Sequence, residues 1–317
     1  MAEAFIQANH LKKYFKTPRG MLHAVDDVTL SIPKGKTLGI VGESGCGKST
    51  LGRLMLNLLE PTSGEMLLDG QNIYKLRSSQ MKKMRTRAQM IFQDPYSSLN
   101  PRMSVSEIIA EPIIANDLIK NRQDIQKRVE ELMDTVGLAQ RFINAYPHEL
   151  DGGRRQRIGV ARALAVNPEF IVCDEPVSAL DVSIQAQILN LMMDLQDELG
   201  LTYVFITHDL SVVKHISDEI AVMYLGQCVE RVPSKELFQN PLHPYTKALL
   251  SAIPIPDLST RGRKRQILTG EVRSPIEPKP GCCFAARCPN ATAACAEHVC
   301  NLKEVEPNHF VSCVLYE

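Results

Sequence analysis

The stretch TLGIVGESGCGKST at residues 37–50 decides the fold of this chain. Residues 37–42 form an apolar run that ends in glycine, which is typical of a buried parallel strand. Residues 48–59 predict a helix, because their apolar residues recur on one face: Leu51, Leu54, Met55 and Leu58. A buried strand, a glycine-rich turn and a helix in this order indicate an α/β fold.

The turn between the strand and the helix has the spacing G-x-x-x-x-G-K-S. Its residues are Gly42, Glu43, Ser44, Gly45, Cys46, Gly47, Lys48 and Ser49. Glycines let the backbone curl so that successive N–H groups point at phosphate oxygens, and the helix N-terminus adds its positive dipole end. Lys48 is expected to reach the β- and γ-phosphates, and Ser49 to ligate Mg²⁺. A chance glycine-rich turn would lack the flanking strand and helix, so the sequence predicts a nucleoside triphosphate site.

Two acids follow a second buried strand, FIVC at residues 170–173. Asp174 is expected to hold Mg²⁺, and Glu175 to polarise the water that attacks the terminal phosphate. His208 follows another short strand at residues 203–206, where ligands bind in open α/β sheets. A lone histidine is usually structural, but at this edge of the sheet it can instead contact the γ-phosphate.

The remaining pattern alternates strands and helices. Residues 21–42 read as strands around a Pro-Lys-Gly turn, and residues 124–136 and 184–199 read as helices, each followed by glycine. Residues 94–165 are mostly helical in pattern and suggest an insertion into a mainly parallel sheet. After about residue 252 the chain turns proline-rich and carries the basic run RGRKR at residues 261–265, which indicates an irregular connection.

Composition excludes several classes of protein. The chain has 317 residues with 36 Lys plus Arg and 36 Asp plus Glu, so it lacks the basic excess of a protein that binds bulk nucleic acid. No apolar run approaches the roughly 18 residues of a membrane span, and the N-terminus lacks a signal-peptide core. We therefore expect a soluble cytosolic chain that can still act as a peripheral subunit of a membrane complex.

The order of these motifs resembles the nucleotide-binding subunit of ABC transporters over almost the whole chain. The resemblance implies a P-loop NTPase with a RecA-like core, an antiparallel β subdomain and a helical subdomain at about 94–165, all within residues 1–253. It implies a Q-loop residue at Gln93 that also senses Mg²⁺, a D-loop at Asp181 and a switch histidine at His208. It adds Thr50 to the residues that contact ATP. It also implies that an aromatic side chain stacks on adenine, which is Phe15 or, less readily, Tyr14. For Phe15 a place in the core remains the alternative.

A narrower resemblance is to the ATPases of oligopeptide, dipeptide and nickel importers. It covers QDPYSSLNPRMSVSEIIAEP (93–112), PHEL (147–150), DEPVSALDVSIQAQ (174–187), NPLHPYTKALLSAIP (240–254) and the GC–F–RCP pattern (281–289). It implies an ATPase that works at the cytoplasmic face of the membrane with a second ATPase subunit, two permease subunits and an external solute-binding protein. Residues 254–317 would then be the C-terminal extension typical of these importers. The cargo stays open among dipeptides, longer peptides, nickel chelates and other solutes.

The sequence departs from the family pattern at the ABC signature. The usual LSGGQ is LDGGR at residues 150–154. In the family, each ATP lies between one subunit's phosphate loop and the partner's signature, here Asp151, Gly152 and Gly153. An aspartate about 4 Å from one phosphate charge costs on the order of 4 kcal/mol at an effective dielectric of 20, which Arg154 and Arg155 can partly offset. We expect one weakened composite site and favour a heterodimer. The alternative is that Asp151 simply caps a helix that begins near residue 154.

Six of the nine cysteines lie in the last 36 residues. Four follow the pattern Cys282-x5-Cys288-x6-Cys295-x17-Cys313, with Cys283 and Cys300 as extras. In a reducing compartment clustered thiols suggest a metal site, but the short pairs usual for zinc are absent. An iron–sulfur cluster, a zinc ion and free or oxidised thiols all stay open. The importer family's tail is similar at the four positions, which favours a 4Fe-4S cluster over zinc.

Other functions are less consistent with these residues. ABC-type ATPases that act on ribosomes or DNA normally carry two nucleotide domains or a long coiled-coil insertion, and neither is present. A regulatory subunit that binds ATP without turning it over is opposed by Glu175, although Asp151 keeps that reading open for one composite site. No acceptor pocket for a kinase is recognisable.

Overall fold

The computed structural model describes residues 4–94, 96–253, 268, 270 and 272–317. These residues form two compact units. Among the described residues, the first unit consists of 4, 33–36 and the described part of 72–206, and the second of 5–32, 37–71 and the described part of 207–317. The basic run at 261–265 lies outside the described residues.

Twelve strands occur in the described residues: β1 (Ala4–Thr17), β2 (Gly20–Pro33), β3 (Thr37–Val41), β4 (Ser63–Leu68), β5 (Gln71–Asn72), β6 (Ala88–Ile91), β7 (Phe170–Asp174), β8 (Thr202–Ile206), β9 (Glu219–Tyr224), β10 (Gln227–Pro233), β11 (Lys303–Glu306) and β12 (His309–Val311). The same residues contain ten α-helices: α1 (Lys48–Met55), α2 (Ser78–Arg87), α3 (Val105–Ala115), α4 (Arg122–Thr135), α5 (Gly152–Leu164), α6 (Val182–Leu199), α7 (Leu210–Ile216), α8 (Ser234–Gln239), α9 (Pro244–Ala252) and α10 (Ala294–Glu297).

The first unit is built on three parallel strands. β7 lies between β6 and β8, with Phe170 opposite both Ala88 and Thr202. All five residues of β7 and all five of β8 are buried, as the continuous apolar runs predict. Helices α2 to α6 belong to this unit, and α3, α4 and α5 lie within the stretch 94–165.

The second unit contains the strand that precedes the phosphate loop. β3 pairs with β9 in parallel, and β9, β10, β12 and β11 continue as antiparallel neighbours. The long strands β1 and β2 form a separate sheet with β4 and β5 in the order β2-β1-β4-β5, and β1 and β4 pair antiparallel. The C-terminal hairpin β11–β12 therefore belongs to the same sheet as β3.

The helices predicted from periodicity are confirmed, with shifted ends. The predicted helix 124–136 runs from Arg122 to Thr135, and the predicted helix 184–199 starts earlier, at Val182. The helix expected at 48–59 ends at Met55, because Asn57 adopts a left-handed backbone with φ of 52°. In the described part of the chain, no helix is long and apolar enough to cross a membrane.

A fully buried carboxylate joins the C-terminal hairpin to β10. Glu230 on β10 accepts a hydrogen bond of 2.7 Å from the His309 ring on β12. It also accepts the backbone N–H groups of Leu242 at 2.7 Å and His243 at 3.0 Å, just before α9. These three donors compensate for burying the Glu230 carboxylate, which would be costly without hydrogen-bond partners. Glu230 therefore holds three separate segments of the second unit together.

His243 gives the fold a dependence on pH. Its ring nitrogen accepts the Tyr245 N–H at 3.1 Å and caps α9, and burial lowers its pKa from 6.5 to about 4. Between pH 6.5 and pH 4, the histidine is therefore protonated in the unfolded chain and neutral in the folded chain. The contribution of His243 to the free energy of unfolding is present above pH 6.5 and is lost as the pH falls towards 4.

We expect the His243→Asn variant to lose this dependence, because asparagine keeps the capping acceptor and does not titrate. Between pH 7 and pH 5, the unfolding free energy of the wild type should fall by about 2 kcal/mol more than that of the variant. Urea denaturation at both pH values measures this, with His148→Asn at an exposed position as the control. Parallel pH profiles for wild type and His243→Asn would contradict it.

Candidate nucleotide-binding site

The phosphate loop between β3 and α1 depends on two glycines. At Gly42, with φ of 154°, a Cβ atom would lie 2.2 Å from the carbonyl oxygen of Met223 on β9. At Gly47, with φ of 105°, it would lie 2.0 Å from the carbonyl oxygen of Ala24 on β2. Both contacts are with backbone, which cannot swing away as a flexible side chain can. The loop is thus pressed against two strands at positions where only glycine fits.

Lys48 begins α1 and turns its side chain back into the loop. Only 5% of the residue is exposed, and its ammonium group donates to the carbonyl oxygens of Gly42 at 2.8 Å and Glu43 at 3.0 Å. Cys46 is also buried, and burial raises the pKa of its thiol, so it acts as a small apolar residue here. Ser44 and Gly45 are exposed, and Ser49 and Thr50 are half-buried in the first turn of α1.

Glu43 of the loop is held by two residues that sequence reasoning did not identify. Its backbone N–H donates to the Tyr245 hydroxyl on α9 at 3.0 Å. Its carboxylate receives two bonds from Arg287, at 2.9 and 3.1 Å. Arg287 lies 244 positions away, so no local pattern could reveal the pairing. Arg287 lies in the GC–F–RCP pattern at 281–289, which carried the resemblance to importer ATPases but gave this arginine no role.

The carboxyl end of β7 presents the two predicted acids in the first unit. Asp174 is buried, with 3% exposed. Glu175 follows in a left-handed conformation, with φ of 46°. Its backbone N–H donates to the Ile206 carbonyl at the end of β8 at 2.9 Å, and its carboxylate accepts the Gln93 side-chain amide at 2.9 Å. The structure therefore brings Gln93 and Glu175 into direct contact, and unusual backbone geometry of this kind is common at functional sites.

His208 and the aromatic candidates belong to the second unit. His208 is exposed and follows Thr207, whose N–H donates to the Ile40 carbonyl on β3 at 3.1 Å. Phe15 on β1 is half-exposed beside the Lys13 ammonium, which lies 5.0 Å from the ring centroid. Tyr14 is already stacked on His23 at 3.8 Å and donates its hydroxyl proton to Asp26. Tyr14 therefore already has a stacking partner, whereas the Phe15 ring is covered by a cation.

The signature segment begins α5, and its aspartate caps that helix. The Asp151 carboxylate accepts the Arg154 N–H at 2.9 Å and also pairs with the Arg154 guanidinium. Gly152 and Gly153 are the first residues of α5, so the helix starts earlier than expected. Arg155, which we expected to offset the aspartate charge, instead donates to the Pro147 carbonyl and covers the Tyr96 ring at 3.7 Å. Asp181 stands exposed at the start of α6.

The four predicted cysteine ligands all belong to the second unit. Cys295 and Cys313 are buried, and the Cys282 N–H donates to the Cys295 carbonyl at 2.8 Å. Burial raises the pKa values of the Cys288 and Cys313 thiols, and the thiolates of Cys282 and Cys295 add to both shifts. A hydrogen bond from Cys283 lowers the pKa of Cys282.

A tighter group of three possible metal ligands lies beside them. Within the described residues, the ligand atoms of His298, Cys300 and Glu317 all lie within 4.8 Å of one another. The four predicted cysteines do not form a group of that tightness among the described residues. Tetrahedral zinc would bring four sulfurs to about 3.8 Å from each other, since Zn–S is about 2.3 Å. The cysteine arrangement is therefore more open than a preformed single-ion site.

Comparisons with known proteins match this combination of loop, acids and C-terminal segment. The family model described as ABC transporter matches residues 25–178. The oligopeptide transport ATP-binding protein AppF of Bacillus subtilis is 52% identical, across 99% of this chain and 98% of its own length. The chain belongs to the ABC transporter family. It is an ATP-binding subunit and an ATPase.

The relationship to the ABC family extends along nearly the whole chain. A second model, described as the C-terminal region of oligopeptide/dipeptide transporters, matches residues 229–295. The dipeptide transport ATP-binding protein DppF of Haemophilus influenzae is 49% identical over 97% of this chain and 95% of its own length. An ATP-binding cassette solved as a dimer with ADP and Pi after hydrolysis has a TM-score of 0.66 at 30% identity, covering 72% of this chain and 98% of that one.

Proposed function

We propose that this chain is the ATP-hydrolysing subunit of an importer for dipeptides or oligopeptides. The observation that carries the proposal is the near full-length identity of about 50% to ATP-binding proteins named for oligopeptide and dipeptide transport, together with the matching C-terminal region. Identity of this extent includes the segments outside the nucleotide loop, which are the parts that differ among ABC proteins.

The residues divide the work on Mg-ATP as follows. The loop from Gly42 to Thr50 cradles the phosphates, with Lys48 as their charge partner. Phe15 stacks on adenine. Mg²⁺ is held by the side chains of Ser49, Gln93 and Asp174. Glu175 polarises the attacking water and His208 contacts the γ-phosphate. The burial of Asp174 at the end of β7 and the hydrogen bond from Gln93 to Glu175 support this division, because the division needs a carboxylate and an amide that are held in place.

The partners in this proposal are a second ATPase subunit, two permeases and an external solute-binding protein, with the chain attached at the cytoplasmic face. Phe92 and Tyr96 lie on either side of Gln93 in the sequence, one and three residues away, and expose 39% and 64% of their surfaces. Next to the exposed Ile114, a groove of about 460 Å³ runs between α3 and α4. Exposed apolar residues around a groove support docking of a partner helix.

We further propose that the composite site using Asp151 works more slowly than the other one. The cap on α5 fixes the carboxylate at the helix N-terminus, where the family places the partner's γ-phosphate. Arg154 offsets part of the charge, and Arg155 is engaged elsewhere. The second site, built on this chain's own loop and Glu175, keeps all its parts. This asymmetry favours pairing with a different ATPase over pairing with a second copy.

Restoring serine at position 151 should raise ATP turnover by the assembled complex about twofold, because a carboxylate no longer repels the phosphates of the slow site. Asp151→Asn is the matched variant, since asparagine also caps helices but carries no charge. Both should raise turnover and leave thermal stability nearly unchanged. If neither variant changes turnover, the aspartate serves only as a cap.

We propose that the cysteines of the extension, residues 254–317, hold a 4Fe-4S cluster through Cys282, Cys288, Cys295 and Cys313, with zinc as the alternative. The four cysteines all belong to the second unit, and the Cys282 N–H donates to the Cys295 carbonyl at 2.8 Å, which supports a shared site. Such a cluster supplies a covalent staple to a short segment with too little core of its own. Anaerobic purification followed by iron and sulfide analysis tests it, and a colourless, iron-free protein would contradict it.

The transport proposal is tested on the complex reconstituted in lipid vesicles with its permeases and binding protein. We expect ATP turnover to rise when a dipeptide or a longer peptide is supplied on the external side. A nickel chelate is the comparison cargo. Stimulation by the chelate alone would overturn peptide import, and the same assay then identifies the cargo class.

A further inference from the structure

The phosphate loop is tied to the cysteine-rich segment by one ion pair. A single terminal nitrogen of Arg287 donates to both carboxylate oxygens of Glu43, at 2.9 and 3.1 Å. The Arg287 side chain is 11% exposed and that of Glu43 is 32% exposed, so the pair is largely shielded from water. A shielded charge-assisted pair is stronger than one on the open surface.

Phe284 fixes the position of Arg287. Its ring is 1% exposed and packs against Tyr224, Tyr245 and His243, with ring centroids 5.3 to 5.7 Å apart. The Arg287 N–H donates to the Phe284 carbonyl at 3.0 Å, so the arginine lies one turn beyond this anchor. Three aromatic neighbours allow the anchor little freedom. The Arg287 guanidinium is therefore held next to the phosphate loop by a segment with little freedom to move.

Three side chains form hydrogen bonds with Glu43 and restrain its position in the phosphate loop. Tyr245 accepts its N–H at 3.0 Å, Lys48 donates to its carbonyl at 3.0 Å, and Arg287 binds its carboxylate. Tyr245 also packs against Phe284. Two of the three restraints therefore depend on the segment around Phe284, and the third involves the lysine expected to bind phosphate.

We propose that Arg287 is a positioning residue for the phosphate loop, through which the cysteine-rich segment sets the affinity for ATP. The inference rests on the proposed role of the loop in holding ATP. Glu43 places a negative charge in a loop that binds a polyanion, and Arg287 neutralises that charge while fixing the backbone. Without Arg287, the free carboxylate repels the triphosphate and the loop loses a restraint. Arg287 touches no reacting atom, so its loss acts on binding and not on the chemical step.

The test measures ATP affinity and turnover in the assembled complex. Arg287→Met is expected to raise KM and the dissociation constant of a fluorescent ATP analogue about tenfold, with kcat within about twofold of the wild type. The Glu43→Gln/Arg287→Met double variant should recover most of the affinity, because the unpaired carboxylate is gone. A merely misfolded single variant would not be rescued in this way.

Two further variants separate the possible failures. Arg273 donates to the Cys282 carbonyl at 3.3 Å, so Arg273→Met disturbs the same segment without touching Glu43 and should leave KM unchanged. Lys48→Ala should abolish ATP binding if the loop holds ATP. Retained binding in Lys48→Ala would defeat the role of the loop itself. Lost binding there, with an unchanged KM in Arg287→Met or no rescue by the double variant, would defeat only the role of Arg287.

Discussion

Replacing Glu175 by glutamine is expected to lower ATP turnover by the assembled transporter about 10²- to 10⁴-fold while ATP stays bound. An amide has nearly the size of a carboxylate but cannot accept a proton from water. The left-handed backbone at Glu175 is held by its N–H bond to Ile206, which does not involve the side chain. The amide oxygen can still accept from Gln93, so the local structure should persist.

Glu169 provides the matched control at the opposite end of the same strand. It pairs with Arg87 and Lys34 outside the predicted site, and its pKa is lowered by the hydrogen bond from Arg87. Glu169→Gln should therefore reduce stability slightly and leave turnover within about twofold of the wild type, since partly exposed ion pairs contribute little. Steady-state ATPase assays and ATP retention on a filter distinguish the two variants. Turnover in Glu175→Gln close to that of Glu169→Gln would refute the assigned role.

The features that could be predicted from sequence are those that depend on residues close together in the chain. The apolar run before Gly42 and the lysine after Gly47 predicted β3, the loop and α1, because strand, turn and helix follow one another within a few residues. Asp151 was recognised as a candidate cap for the same reason, since its partner Arg154 is three residues away. The family resemblance gave Gln93 a role, but its contact with Glu175 was not predicted, as 82 positions separate the two residues.

The features that were missed depend on contacts between distant segments. Glu230 and His309 are 79 positions apart, and neither lies in a pattern that predicts a buried pair. The left-handed Asn57 shortened α1 although the apolar periodicity continued to Leu58. Arg287 had no predicted role, and only the folded chain brings it to Glu43. Tertiary packing decides such positions, and local propensity does not reveal them.

These long-range contacts change how the C-terminal part of the molecule is understood. Glu230 joins β10, β12 and the start of α9, while Phe284 packs on the tyrosines of β9 and α9. The same tyrosine of α9 binds the backbone of Glu43. Tyr245, Phe284 and Arg287 therefore link the segments after β10 to the phosphate loop, and changes at these three residues are expected to alter nucleotide affinity before they alter the chemical step.

The close approach of β2 to Gly47 restricts which residues the phosphate loop can accept. Replacing Gly47 by alanine is expected to lower the unfolding free energy by about 2–5 kcal/mol, because the methyl group meets a backbone oxygen and the residue must keep a positive φ. The Ala24 carbonyl would lie 2.0 Å from the new carbon, so either β2 or the loop must shift. Gly226, whose N–H donates to the Cys46 carbonyl at 2.8 Å, limits the shift from the other side.

Gly70 isolates the steric part of this effect. It has a positive φ of 73°, but an added Cβ would meet nothing within 4 Å. Gly70→Ala should cost only the left-handed backbone penalty of about 1–2 kcal/mol and leave ATP affinity unchanged. Gly47→Ala should lose ATP binding more than about tenfold as well, because the N–H groups at the start of α1 no longer converge on phosphate. Equal losses of stability in the two variants, with ATP binding intact in both, would show that the contact with Ala24 does not shape the loop.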